Sequence, residues 1–309
     1  MKADFTRKCR ESNILCGHRS YALPQIPRQY SSAGLESAPL LTAVGVKFAM
    51  SGRSSTQIML SVWKALLLRE ATFRLFGTRA AWAWLLIEPL SHFAFLTFMF
   101  AVVRQRVVGG IDVAIWLILG LIGFFTFRRA ANQMGGAIDS NLALFTYRQV
   151  LPFDAIVVRG LLEGLIMLVA FILVTLVMAL IGHDVMPDRP LMVLGGFFGL
   201  WLLGGALGLA VAVGGVIAEE TRQIFSMLMM PLYFISGVIF PLSAVPPQYR
   251  EILMLNPVVH GVEAMRAGFS TYYHASDSLN LGYLYLCALF LLALGLALYT
   301  RFAKAIETT

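Results

Sequence analysis

Six runs of apolar residues, each close to the length that crosses a lipid bilayer, dominate this sequence. A hydrocarbon core of about 30 Å needs roughly 20 residues of helix. The runs are Ala81 to Val103, Ile111 to Phe127, Gly164 to Gly182, Leu191 to Ala218, Ile224 to Phe240 and Asn280 to Thr300. Composition agrees with them. Of the 309 residues, 58% are apolar and only 13% charged, against about 45–50% and about 25% in soluble domains. A water-soluble enzyme is excluded, and so is a disordered or nucleic-acid-binding chain. Three cysteines rule out a disulfide framework. The expected fold is all-α and polytopic, with six transmembrane helices over residues 81–309.

Residues 1–57 read differently. They hold Arg7, Lys8, Arg10, Arg19, Arg28 and Arg53 with several prolines and no long apolar run. A signal peptide needs an apolar core of about 7–15 residues behind its basic start, which this segment lacks. It reads as a flexible cytosolic leader, with Met50 and Met59 as candidate later starts. Residues 58–80 then mix bulky apolar groups with Trp63, Lys64, Arg69, Glu70, Arg74 and Arg79. At helical spacing Val62, Leu66, Phe73 and Phe76 share a side, with Arg69 among them. The expectation is an N-terminal interfacial helix whose long basic side chains snorkel.

The net charge of +7 is explained by topology rather than by an acidic ligand. Lys and Arg collect in cytoplasmic loops. With the N-terminus inside, only Arg104, Arg106, Arg189, Arg250 and Arg266 of the 24 basic residues fall outside. Both termini are therefore expected on the cytoplasmic side. About thirty residues, Arg128 to Arg159, form a long inner loop, and Pro241 to Leu279 form a long outer one. The prolines at 241, 246, 247 and 257 cannot share one straight helix. Two short helices, re-entrant or on the outer surface, are expected between spans five and six.

Nothing in the chain hydrolyses ATP. A P-loop requires a lysine directly after glycine, and the five lysines follow Met1, Arg7, Val46, Trp63 and Ala303. No H-E-x-x-H or G-x-S-x-G motif is present either. Cys9, Cys16 and His18 lie together only in the leader, so no metal site is assigned. The glycines of span four, including the Gly195/Gly199 and Gly204/Gly208 pairs, have the spacing that lets helices approach closely. Glu88, directly before Pro89, is an ionisable group inside span one and points to gating or structure. Trp84, Phe225, Tyr233 and Phe234 lie near span ends. There they form an interfacial belt or a stacking track for sugar rings.

The order of several segments resembles a known family. It runs from the basic helix ending Gly77-Thr78-Arg79 through Trp84-Leu85-Leu86-Ile87-Glu88-Pro89 to Ala137-Ile138-Asp139-Ser140-Asn141 and Val150-Leu151-Pro152. Late come Ile235-Ser236-Gly237-Val238-Ile239-Phe240-Pro241 and Leu255-Asn256-Pro257-Val258-Val259-His260-Gly261-Val262-Glu263. From about residue 60 onward the chain is similar to permease subunits of type-2 ATP-binding-cassette exporters. Within them it is most like capsular-polysaccharide inner-membrane exporters.

The resemblance implies a homodimer in the bacterial inner membrane, bound to a separate ATPase that carries ATP and magnesium; this chain itself would hold no cofactor and catalyse nothing. It implies a lipid-linked polysaccharide as cargo, and periplasmic or outer-membrane export proteins as further partners. The inner loop would carry a coupling helix at Asp139, Asn141, Leu144, Phe145 and Arg148. A path between spans one and five would involve Glu88, Trp84, Phe225, Tyr233 and Phe234, with Pro241 and Asn256 in its outer gate. Two alternatives stay open. One is the same architecture exporting O-antigen, lipo-oligosaccharide or small lipophilic drugs. The other is a channel or membrane transferase with no ATPase partner.

Overall fold

The structure is a computed structural model that describes residues 55–77, 87, 91–92, 94–96, 98–99, 107–108, 110–145 and 150–307. The leader reading, Trp84, Glu88 and Arg148 lie outside the described residues, as does most of span one. Its described residues 87, 91–92, 94–96 and 98–99 are helical.

The described chain is almost wholly helical. A short hairpin, β1 (Val107–Val108) and β2 (Ile111–Asp112), is an addition to the all-α expectation. Gly110 turns it with φ +91°, a conformation that favours glycine, and a Cβ there would lie 2.6 Å from the Tyr272 carbonyl. Asp112 then caps α2 (Val113–Gly135), its carboxylate accepting the Ala114 amide at 2.8 Å.

Four described helices are long and apolar enough to cross a membrane: α2, α3 (Pro152–Ile181), α4 (Pro190–Ile217) and α8 (Leu281–Glu307). Each of α3 and α4 starts on a proline, where the missing amide costs nothing. Gly182, at φ +98°, ends α3 in the left-handed conformation typical of a helix stop.

Burial orders the layers. The membrane-length window of α2 is 89% buried, that of α4 56%, and those of α3 and α8 22% and 17%. So α2 is the centre, α4 packs along it, and α3 and α8 turn apolar faces outward. Leu165, Val169, Ile172 and Leu176 on α3 and Leu286, Leu289 and Phe290 on α8 are exposed large apolar side chains, as lipid-facing positions should be. Gly199, Gly204 and Gly208 of α4 sit at close approaches, whereas a Cβ at Gly195 would meet only Leu281 at 3.6 Å. A Cβ at Gly208 would lie 2.8 Å from the Ala131 carbonyl, and one at Gly196 2.7 Å from that of Gly261.

Two boundaries are corrected. Span two does not stop at Arg128-Arg129. The helix continues to Gly135 because both arginines have partners there: Arg128 stacks over Phe125 and Arg129 pairs with Glu163. The fifth apolar run is not one long helix. Helix α5 (Glu220–Ile235) has 16 residues, about 24 Å at 1.5 Å per residue. The chain then turns at Gly237, φ +66°. A 3-10 turn (Leu242–Ala244), α6 (Pro247–Leu253) and α7 (Pro257–Phe269) follow, the last two each starting on proline.

Candidate functional site

Helix α1 (Ser55–Phe76) turns a mixed stripe, apolar and charged, toward the rest of the described chain. Leu66 and Glu70 are buried on one stripe that continues to Arg74, while Leu68, Phe73 and Phe76 are exposed. Arg69 is exposed, and its guanidinium reaches Asn141 at 3.0 Å.

Against this stripe lies Glu163 of α3, which is fully buried. Arg74 donates to it at 2.5 Å and Arg129 of α2 pairs with its other oxygen. Arg74 also reaches Glu70 at 3.1 Å and Gln133 at 2.8 Å, and Arg159 meets Glu70 at 2.9 Å. Trp63 donates to Asp154 at 2.8 Å. Buried charges persist only when paired, and here three arginines share two carboxylates. Neither Glu163 nor Arg129 was singled out as a site residue. A lone carboxylate just before the apolar run at Gly164 was the available signal, but it fell one residue outside the expected span.

The inner loop folds as a 3-10 helix, Asp139–Leu144, directly beneath this network. Asn141 is buried; it donates to the Ala137 carbonyl at 2.9 Å and accepts from Arg69 at 3.0 Å. Ser140 accepts from Arg159 at 3.1 Å. Asp139 pairs with Arg222 of α5. Leu142 and Ala143 face outward, while Leu144 and Phe145 are half-buried, Phe145 against a core containing Met134, Ile138 and Ile156. The segment is thus clamped to α1, α3 and α5 and keeps one exposed apolar edge.

A crevice of about 660 Å³ opens between the described part of span one, α2 and α5. His92, Phe95, Met99, Phe125, Met229, Met230, Tyr233 and Phe234 line it, with Arg128 and Asn132 as polar groups. Tyr233 shares a hydrogen bond with His92 Nε2 at 2.8 Å, and its ring packs edge-on against Phe124 at 5.0 Å. Of the expected path residues, Tyr233 and Phe234 line this crevice. Phe225 is buried in the core instead. Pro241 and Asn256 lie elsewhere, each at the start of an outer helix. The Asn256 side chain accepts the Val258 amide and donates to Ser236, both at 3.0 Å.

The outer segment is anchored by a second buried network. Arg266 is fully buried, lies 3.7 Å over the Trp116 ring, and donates to the Gly237 and Val238 carbonyls at 2.8 and 3.1 Å. Glu263 balances it at 3.1 Å and accepts from the Tyr273 hydroxyl at 3.0 Å. Arg266 thus bolts α7 to α2 and to the turn after α5.

A polar cavity of about 430 Å³ at the same end includes Asp112, His183, Asp184 and Asp188. Each carboxylate has local work. Asp184 accepts the Met186 amide at 3.3 Å, and Asp188 accepts the amide and hydroxyl of Thr271 at 2.7 and 2.9 Å. The Thr271 amide, then its hydroxyl, hold Asp188 below the usual carboxylate range. Among the described residues no cluster of metal-ligating side chains occurs.

Comparison with known proteins places these features in context. Residues 61–270 match the family described as ABC-2 type transporter. The chain is 35% identical over 257 residues to the polysialic acid transport protein KpsM of Escherichia coli, covering 83% of this chain and 99% of that one. It is 32% identical over 255 residues to the capsule polysaccharide export inner-membrane protein CtrC of Neisseria meningitidis serogroup A, covering 79% and 91%. To BexB of Haemophilus influenzae, of the same description, it is 30% identical over 259 residues, covering 82% and 96%.

Proposed function

The chain belongs to the ABC-2 type transporter family of membrane permeases, and from that premise we propose that it is the inner-membrane permease of a capsular polysaccharide exporter. The observation that carries this reading is near full-length similarity to capsule export proteins. The chain is a transport component, and ATP hydrolysis belongs to a separate ATPase subunit bound on the cytoplasmic side. Two copies of the permease form the channel, each with six spans once span one and α5 are counted with the four long helices. Both termini face the cytoplasm, as the distribution of basic residues favours.

The exposed edge of the 3-10 helix, together with Leu144, Phe145 and, by sequence position, Arg148, is the docking point for the ATPase. Its clamping to α1, α3 and α5 suits force transmission, because a tethered segment moves its neighbours with it. The cargo is a lipid-linked polysaccharide, and it passes along the aromatic and methionine-lined crevice near span one and α5. Glu88 and Trp84 of span one belong to the same path. The outer helices after Pro241, including the Asn256 cap, form the exit gate, beyond which periplasmic and outer-membrane proteins receive the polymer.

Deleting the gene tests this. The expected result is polysaccharide retained inside the cell and a surface bare of it. An unchanged surface would overturn the cargo assignment in favour of a small lipophilic substrate.

A further inference from the structure

Only Ala218 and Glu219 separate α4 from α5. The elbow is tight: the Thr221 amide donates to the Ala218 carbonyl at 3.0 Å, and its hydroxyl to that of Gly214 at 3.2 Å. Gly214 and Gly215 make room for it. A Cβ on Gly214 would lie 2.8 Å from the Thr221 methyl, and one on Gly215 2.8 Å from Cζ of Arg222. The Arg222 guanidinium therefore rests across the last turn of α4. From there it engages both oxygens of Asp139, Nη2 to Oδ1 at 2.9 Å and Nη1 to Oδ2. A two-point fork of this kind fixes orientation as well as distance.

The pair spans 83 residues of sequence. At one end is the first residue of the cytoplasmic 3-10 helix, and at the other the first turn of the helix that carries Met229, Tyr233 and Phe234 into the crevice. On its remaining sides the 3-10 helix is tied to α1 through Arg69–Asn141 and to α3 through Arg159–Ser140. Among these links the one to α5 joins it to an element lining the crevice.

We propose that the Arg222–Asp139 pair, seated on Gly214-Gly215, is the strut that passes movement of the 3-10 helix to α5. Asp139 is then a positioning residue for the crevice, acting through Arg222, and not a contact with the ATPase. The inference rests on the reading above that the ATPase docks on this segment.

The test uses the full permease–ATPase complex in cells. Variants Asp139→Arg, Arg222→Asp and the double reversal are scored for surface polysaccharide and for co-purification of the ATPase. A half-exposed ion pair contributes little to stability, so loss of fold is not the expected cause of a defect. Each single reversal should cut export at least tenfold while the ATPase still co-purifies, and the double reversal should recover most of it. Loss of the ATPase from Asp139→Arg alone, normal export by both singles, or no recovery in the double reversal would each overturn the strut. Should a reversal fail to accumulate in the membrane, Asp139→Asn and Arg222→Gln are scored in its place, with the same export loss expected. A wild-type complex that exports no polysaccharide sinks the underlying functional reading instead.

Discussion

The guanidinium of Arg74 lies 2.5 Å from the carboxylate of Glu163, 89 residues further along the chain. This bond turns α1 from a helix lying on a surface into one bolted to α3. The second oxygen of Glu163 holds Arg129, so one carboxylate links three helices.

Removing that carboxylate takes a buried counter-charge from Arg129 and leaves Arg74 to Glu70. Glu163→Ala should destabilise the permease by about 3–5 kcal/mol, the usual cost of breaking a buried pair from one side. Thermal unfolding of the purified protein in detergent reads this directly. A melting temperature equal to the wild type's would mean that the network contributes nothing to the fold.

The packing of Arg266 against α2 depends on Gly120, where a Cβ would collide with the guanidinium. Gly120→Val should displace Arg266 from Trp116 and cost about 1–3 kcal/mol, the range for overpacking a filled core. Loosening should concentrate in the outer segment. Limited proteolysis from the outer side is expected to cut between residues 241 and 280 in the variant before the wild type; identical digestion would refute the bolt.

Filling the crevice separates transport from stability. Met230 lines it and is 69% exposed, so Met230→Trp obstructs the space without disturbing the core. Export should fall at least tenfold while membrane-embedded protein and ATPase association remain at wild-type levels. Normal export with the tryptophan in place would move the path elsewhere.

Asp188 predicts an acid limit to the order of the outer loop. Its folded pKa is depressed by the Thr271 donors, so its stabilising contribution is present above the unfolded pKa and lost as pH falls through the folded one. A spin label attached at neutral pH to Tyr272→Cys should accordingly become more mobile as pH drops through that window. Thr271→Val removes the hydroxyl and keeps the amide, and should move the change to higher pH. Mobility that is flat with pH in both proteins would contradict this account.

Docking of the ATPase is testable at Leu142, which is 40% exposed on the 3-10 helix. Leu142→Asp places a charge on the proposed contact and should abolish co-purification of the ATPase. Retained complex would remove this segment from the interface.

Much was legible without coordinates. Apolar runs report burial free energy residue by residue, so the helical class and the four long apolar helices were legible from order alone. The start of α3 at Pro152, ahead of the expected Gly164, was not. The glycine spacing of α4 also announced close approach. Partner choice was not legible. Glu163 and Arg266 each need a counter-charge, because an unpaired buried charge is prohibitive. Which arginine or carboxylate supplies it depends on helices brought together across as many as 89 residues. For the same reason the partners of Glu70 and Arg74 on α1 were not legible. Helix α5 ended early because Gly237 and the Arg266 bonds to the Gly237 and Val238 carbonyls, contacts made only in the folded chain, draw the backbone out of the helix.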